Sequence, residues 1–129
     1  MKTVVICGSR RFKEEVKEFA EKLKSFGVAV YAPHHHSGQN EWGNLSPDYQ
    51  KFVALGLTHD HFYKISMADI VFVYNKDGYT GPSTTLEIGF AAGVKKPIYA
   101  LSPDTDELCR HTLFREIIST PEELIKYLK

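Results

Sequence analysis

Short, unbroken apolar runs separated by helical stretches constrain this chain more than any other feature. The first is Thr3-Val-Val-Ile-Cys7 and the clearest is Ile70-Val-Phe-Val-Tyr74. Runs this short, rich in β-branched residues and without polar alternation, read as strands buried on both faces. Val28–Ala32, ended by Pro33, gives a second strand, Pro97–Leu101 a fourth and Leu113–Ile118 a fifth. Between them, Phe12–Phe26 carries Val16, Phe19, Ala20, Leu23 and Phe26 on one stripe, and Gly27 stops it. Pro47 opens a second helical region that runs to about Met67, Thr84–Gly93 reads as a third helix, and residues 102–112 as a loop with one helical turn. Thr120-Pro-Glu-Glu123 is a helix start, with an N-cap, Pro at N1 and Glu at N3. Strands alternating with helices predict an α/β fold with a parallel sheet covered on both faces. Right-handed crossovers favour a flavodoxin-like or Rossmann-like doubly wound sheet of five strands, order 2-1-3-4-5. Neither a repeat nor a linker interrupts residues 1–129, so one domain is expected.

That topology has a functional corollary. Ligands of open α/β sheets bind beyond the carboxyl ends of the strands where the order reverses, here between strands one and three. The loops meeting there are Gly8-Ser-Arg-Arg11 and Asn75–Pro82. The second loop is longer than a plain strand-to-helix turn requires and contains Asp77, Gly78, Gly81 and Pro82. Ser83 and Thr84 then open a helix whose first turn holds Glu87. Two readings of Glu87 stand at this point. Thr84-x-x-Glu87 fits a capping box, in which the carboxylate only bonds back to the Thr84 N–H. Alternatively, Glu87 is the reactive group of a crevice whose helix N-terminus offers free N–H groups to an anion.

The other candidates divide in the same way. Arg10 and Arg11 are solvated charges, or at least one of them is a bidentate phosphate ligand beside Gly8 and Ser9. This turn is neither G-x-G-x-x-G nor a Walker A loop, which disfavours a dinucleotide cofactor. His61, next to Asp60 on the second helix, is a surface residue or borders the crevice. His34-His-His36 lies in a long polar loop without Cys or acidic partners at familiar spacing, so no metal is expected. Trp42 and Tyr49 could stack on a base, or belong to the core or to an interface.

Charge and cysteine usage narrow the partners. Sixteen basic and sixteen acidic residues give a net charge of zero, which disfavours bulk binding to nucleic acid or an anionic membrane. No run is long and apolar enough for a membrane span, and Lys2 leads straight into a strand rather than a signal peptide. The two cysteines, Cys7 and Cys109, form no C-x-x-C, and Cys7 ends an apolar strand, which predicts a buried free thiol. A reduced, cytoplasmic protein is the expectation.

Three segments together resemble the nucleoside 2-deoxyribosyltransferase family and its deoxynucleoside-monophosphate N-glycosidase relatives. They are the Cys7-Gly-Ser-Arg10 turn, the His61–Val71 stretch with Ala68-Asp-Ile-Val71, and the Gly81–Ile98 run with Glu87-Ile-Gly-Phe-Ala91 and Lys96-Pro-Ile98. The resemblance covers about residues 3–101. It implies that Glu87 is a nucleophile that attacks the anomeric carbon of a nucleoside or nucleoside 5′-monophosphate and expels the base. It also implies that Ser9, Arg10, Ser83 and Thr84 serve a 5′-phosphate, that no cofactor is needed, and that the chain forms a homodimer. Many members have an aspartate where this chain has His61, with Asp60 one residue out of register. Many have a second acid where it has Gly81, with Asp77 further back. His61 or Asp60 then stands as the acid/base. The rivals are a phosphoribohydrolase of the lysine-decarboxylase-like type, echoed partly in Gly81-Pro-Ser-Thr-Thr-Leu-Glu87, and a non-catalytic nucleotide-binding module.

Overall fold

The computed structural model describes residues 1–33 and 42–129. The chain forms one parallel sheet of five strands in the order β2-β1-β3-β4-β5. These are β1 (Val4–Gly8), β2 (Val30–Tyr31), β3 (Ile70–Tyr74), β4 (Ile98–Ala100) and β5 (Glu116–Ile117). The helices that connect or follow them are α1 (Lys13–Ser25), α2 (Pro47–Met67), α3 (Pro82–Gly93), the short α4 (Leu108–His111) and α5 (Pro121–Leu128). The expected α/β class and strand order therefore hold. His34–His36 lie outside the described residues.

Alternation along the two central strands decides which helix meets which side chain. Val4 and Ile6, with Ile70 and Phe72, join Val16, Phe19 and Leu23 of α1 and Leu124 and Leu128 of α5. Val5 and Cys7, with Val71 and Val73, join Ile65 of α2 and Ile88 and Ala91 of α3. Cys7 thus points to the α2–α3 face, where it is buried and free, as its sequence context predicts. On that face the Phe62 and Phe90 rings stack with centroids 4.5 Å apart and planes 11° apart, which fixes α2 against α3.

The edges of the elements differ from the sequence reading. β1 runs one residue later, and Gly8 pairs with Tyr74. A Cβ on Gly8 would lie 3.2 Å from the Tyr74 carbonyl and 3.3 Å from its Cβ, so the close approach of β3 calls for glycine. The outer strands β2, β4 and β5 are shorter than their apolar runs: beside β2, Val28 is buried but turns its N–H back to the Leu23 carbonyl of α1, and beyond β5 the buried Ile118 keeps one bond to the sheet, from its N–H to the Ala100 carbonyl. Arg10–Phe12 is a 3₁₀ turn, so α1 proper starts at Lys13. At α5 the cap follows the sequence, with Thr120 Oγ1 accepting from the Glu123 N–H; α2 is capped in the same way by Ser46, whose Oγ accepts from the Tyr49 N–H and which the sequence reading leaves in the loop. No helix among the described residues is long and apolar enough to cross a membrane. Even so, α2 buries only His61 and Ile65, and leaves Tyr49, Phe52, Leu55, Tyr63 and Met67 exposed.

A cluster that sequence reading missed ties the β4–β5 connection to α3. The buried Asp104 carboxylate accepts from Arg110 Nε at 2.6 Å, and Arg110 Nη1 reaches Thr85 Oγ1 at 3.3 Å. The bond from Arg110 holds the Asp104 carboxyl below the usual carboxylate range, opposed by burial. A carboxyl lowered by folding stabilises above its unfolded pKa and loses that contribution as pH falls through the folded value. Asp104→Asn should therefore cost about 2 kcal/mol at neutral pH. Thermal unfolding should show the gap to the parent closing below about pH 4. A gap that does not change with pH would mean that the pair does not stabilise through its charge.

Candidate active site

A cleft of about 360 Å³ opens where β1 and β3 end, at the expected switch point. Gly8, Ser9 and Arg10 form one side, and Gly81, Pro82, Ser83 and Thr84 another. His61 and Glu87 line it together, and Tyr31, Leu57 and Tyr79 supply apolar wall.

The helix carrying Glu87 starts earlier than the sequence suggested. Gly81 is the N-cap and Pro82 occupies the first turn, where its missing N–H costs nothing. Thr84 is therefore inside α3, and Glu87 lies past the first turn. This removes the capping box. The Glu87 carboxylate instead meets His61 Nδ1, with Oε2 at 2.9 Å and side-chain exposures of 13% and 9%. Helical spacing explains the meeting. Ile65 lies one turn beyond His61 and Ile88 one residue beyond Glu87, and both are anchored on the sheet, which turns the polar pair toward its carboxyl edge.

On its other side, His61 Nε2 lies 3.3 Å from Cys7 Sγ. The donor atoms of Cys7, His61 and Glu87 all fall within 4.8 Å of one another, the spacing of a possible cation site. The imidazole, however, lies between the other two groups and turns a different nitrogen to each. A cation needs its donors around one point at about 2.0–2.3 Å, so this set is arranged as a hydrogen-bonded chain. Burial pushes the Cys7 thiol well above its ordinary pKa, and the Glu87 charge adds to the shift.

The remaining predicted residues separate. Ser9 lines the cleft, and its Oγ also accepts from the Arg11 N–H at 3.2 Å. Thr84 is buried, and its hydroxyl has no hydrogen-bond partner among the described residues. Arg11 leaves the cleft lining and lays its guanidinium 3.7 Å from the Tyr79 ring centroid. Asp77 sits outside the cleft in a tight turn at φ 57°. Asp60 is also outside it, where it accepts from the Tyr31 hydroxyl at 2.9 Å. Burial and that bond push the Tyr31 phenol up to about 12. Trp42 and Tyr49 do not line the cleft.

Sequence reading missed Tyr31, Leu57, Thr58 and Tyr79 as cleft residues. Leu57 and Thr58 lie one turn before His61 and were recoverable from helical spacing. Tyr31, at the carboxyl end of β2, was recoverable from the sheet order. Asn75 had no such signal. It is fully buried and bonds both the N–H and the carbonyl of Ser102, tying together the loops that follow β3 and β4.

Against known proteins, the model of the nucleoside 2-deoxyribosyltransferase family matches residues 5–123. No curated protein sequence matches the chain. Among solved structures, the 2-deoxyribosyltransferase of Bacillus psychrosaccharolyticus is similar with a TM-score of 0.64 at 17% identity, over 95% of this chain and 89% of that one. A conserved protein from Enterococcus faecalis V583 gives 0.60 at 14% identity, over 99% and 97%. The CMP N-glycosidase of Clostridium botulinum gives 0.51 at 23% identity, over 98% and 97%. At these identities the likeness to the solved structures is one of fold.

Proposed function

The chain belongs to the nucleoside 2-deoxyribosyltransferase family, and from that premise we propose that it cleaves or exchanges the N-glycosidic bond of a nucleoside or nucleoside 5′-monophosphate. The observation that carries this reading is the Glu87 carboxylate, nearly buried, held by one histidine and facing the cleft at the strand ends. A Glu87 oxygen attacks the anomeric carbon as the carbon–nitrogen bond breaks. The bonding pair leaves with the base, which takes up a proton from water in the cleft. The resulting ester is opened by water, giving hydrolysis, or by a second base, giving transfer. Glu87 then recovers its charge.

The sequence reading gave His61 or Asp60 the proton for the departing base. In this mechanism His61 instead orients the nucleophile, because both of its ring nitrogens are engaged. Asp60 acts through Tyr31, whose ring stands edge-on to His61 with centroids 5.7 Å apart. The polar end of the cleft suits a phosphate. Pro82 has no N–H, the amides of Ser83 and Thr84 begin α3, and the unpartnered Thr84 hydroxyl lies beside them. Ser9 and Arg10 face them from the β1 turn. The exposed apolar face of α2 supports a homodimer, which sedimentation equilibrium would report as twice the monomer mass and a monomer mass would remove.

Chromatography of free base tests the function. Ribo- and deoxyribonucleosides and their 5′-monophosphates are incubated with the protein, and at least one class should lose its base. If the monophosphate is preferred, Arg10→Ala should raise its KM about 30-fold, and nucleosides should change little. Equal effects on both would remove the phosphate contact. No release from any class would favour a binding module.

A further inference from the structure

The buried thiol of Cys7 belongs to no step above, yet it touches His61, which holds Glu87. Three observations bear on it. Cys7 is fully buried, at the last inward position of β1, between Val5 and the cleft. Its sulfur lies 3.3 Å from His61 Nε2. And His61 Nδ1 is already committed to the Glu87 carboxylate at 2.9 Å.

An ionised carboxylate has only acceptors, so Nδ1 carries a proton in this pairing. Nε2 then has two options. It keeps its lone pair and accepts from a thiol, or it carries a second proton and the ring becomes an imidazolium. The surroundings of the sulfur decide between them. Val5, Val73, Ile65 and Ala100 belong to the same buried cluster and offer no charge to support a thiolate. A protonated thiol is a weak donor, and Nε2 is the partner within its reach. The groups facing the pair from other elements are the Tyr31 phenol on β2, which is bonded away to Asp60, and Glu87 on α3.

We propose that Cys7 is a positioning residue that donates its S–H to Nε2 and so keeps His61 the neutral, Nδ1-protonated imidazole that holds Glu87. The consequence is electrostatic. A neutral imidazole orients the carboxylate through one hydrogen bond, whereas an imidazolium would tie the same oxygen in a buried ion pair and blunt its attack on carbon. This rests on Glu87 as nucleophile for its effect on rate, but the protonation pattern itself does not.

Long-range ¹H–¹⁵N correlation on histidine-labelled protein reads that pattern directly. The unmodified protein should show His61 with a protonated Nδ1 and an unprotonated Nε2. Cys7→Ser, which keeps a donor, should preserve both signals and most of the turnover. Cys7→Ala should shift the Nε2 signal and lower kcat about fivefold to tenfold at unchanged KM. An unmodified protein with both nitrogens protonated overturns the proposal, as does an unchanged His61 spectrum in Cys7→Ala. If Cys7→Ala does not fold, the spectra of the unmodified and Ser proteins still decide. A correct spectrum with no base release would refute the proposed function and leave the role of Cys7 standing.

Discussion

Glu87→Gln is expected to lower base release by about 10³-fold or more while leaving the fold intact. The amide nitrogen cannot form the glycosyl ester, but the amide oxygen still accepts from His61 Nδ1, and no cap is lost because Gly81 caps α3. The thermal midpoint should stay within a few degrees of the parent. Substrate should still bind, since the apolar wall and the Ser9, Arg10 and Ser83 end of the cleft are untouched. A variant that unfolds early but keeps its turnover per folded molecule would make Glu87 a structural residue.

His61→Ala should slow turnover by about 100-fold through loss of orientation alone. It leaves the carboxylate without its hydrogen bond and Cys7 without a partner. Orientation and proton donation can be separated by substrate. An N7-methylated purine nucleotide carries a positive charge on the base, which then departs without taking up a proton. If His61 holds the nucleophile, the defect persists on that substrate. Recovery to within a few-fold of the parent rate would return the general-acid role to His61.

Most of the architecture was legible in the sequence because buried parallel strands are continuous apolar runs, and the two clearest here, Thr3–Cys7 and Ile70–Tyr74, supply the paired central strands. β1 and β3 were placed to within one residue, and the position of the cleft followed from their order. The family could be read from the motif around Glu87. Side-chain partnerships were less legible. Thr84-x-x-Glu87 mimics a capping box, yet Pro82 starts the helix sooner, and that shift frees the carboxylate for His61. Asp60 and His61 are adjacent in sequence but face different ways on α2, one to Tyr31 and one to the cleft. The link from Cys7 to His61 spans 54 residues and depends on how α2 packs against the sheet, which no local pattern encodes. The same holds for Asn75 and Asp104, polar residues buried by loops that carry no periodicity.

The central claim is a double displacement through Glu87, and the configuration of a trapped product tests it most directly. With methanol as acceptor, ¹H NMR reads the anomer of the methyl glycoside, which, unlike the free sugar, does not mutarotate. Two displacements retain the β configuration of the nucleoside, and a single attack by solvent inverts it. A nucleophilic Glu87 predicts the β anomer. The α anomer as first product would contradict it and leave Glu87 at most a general base.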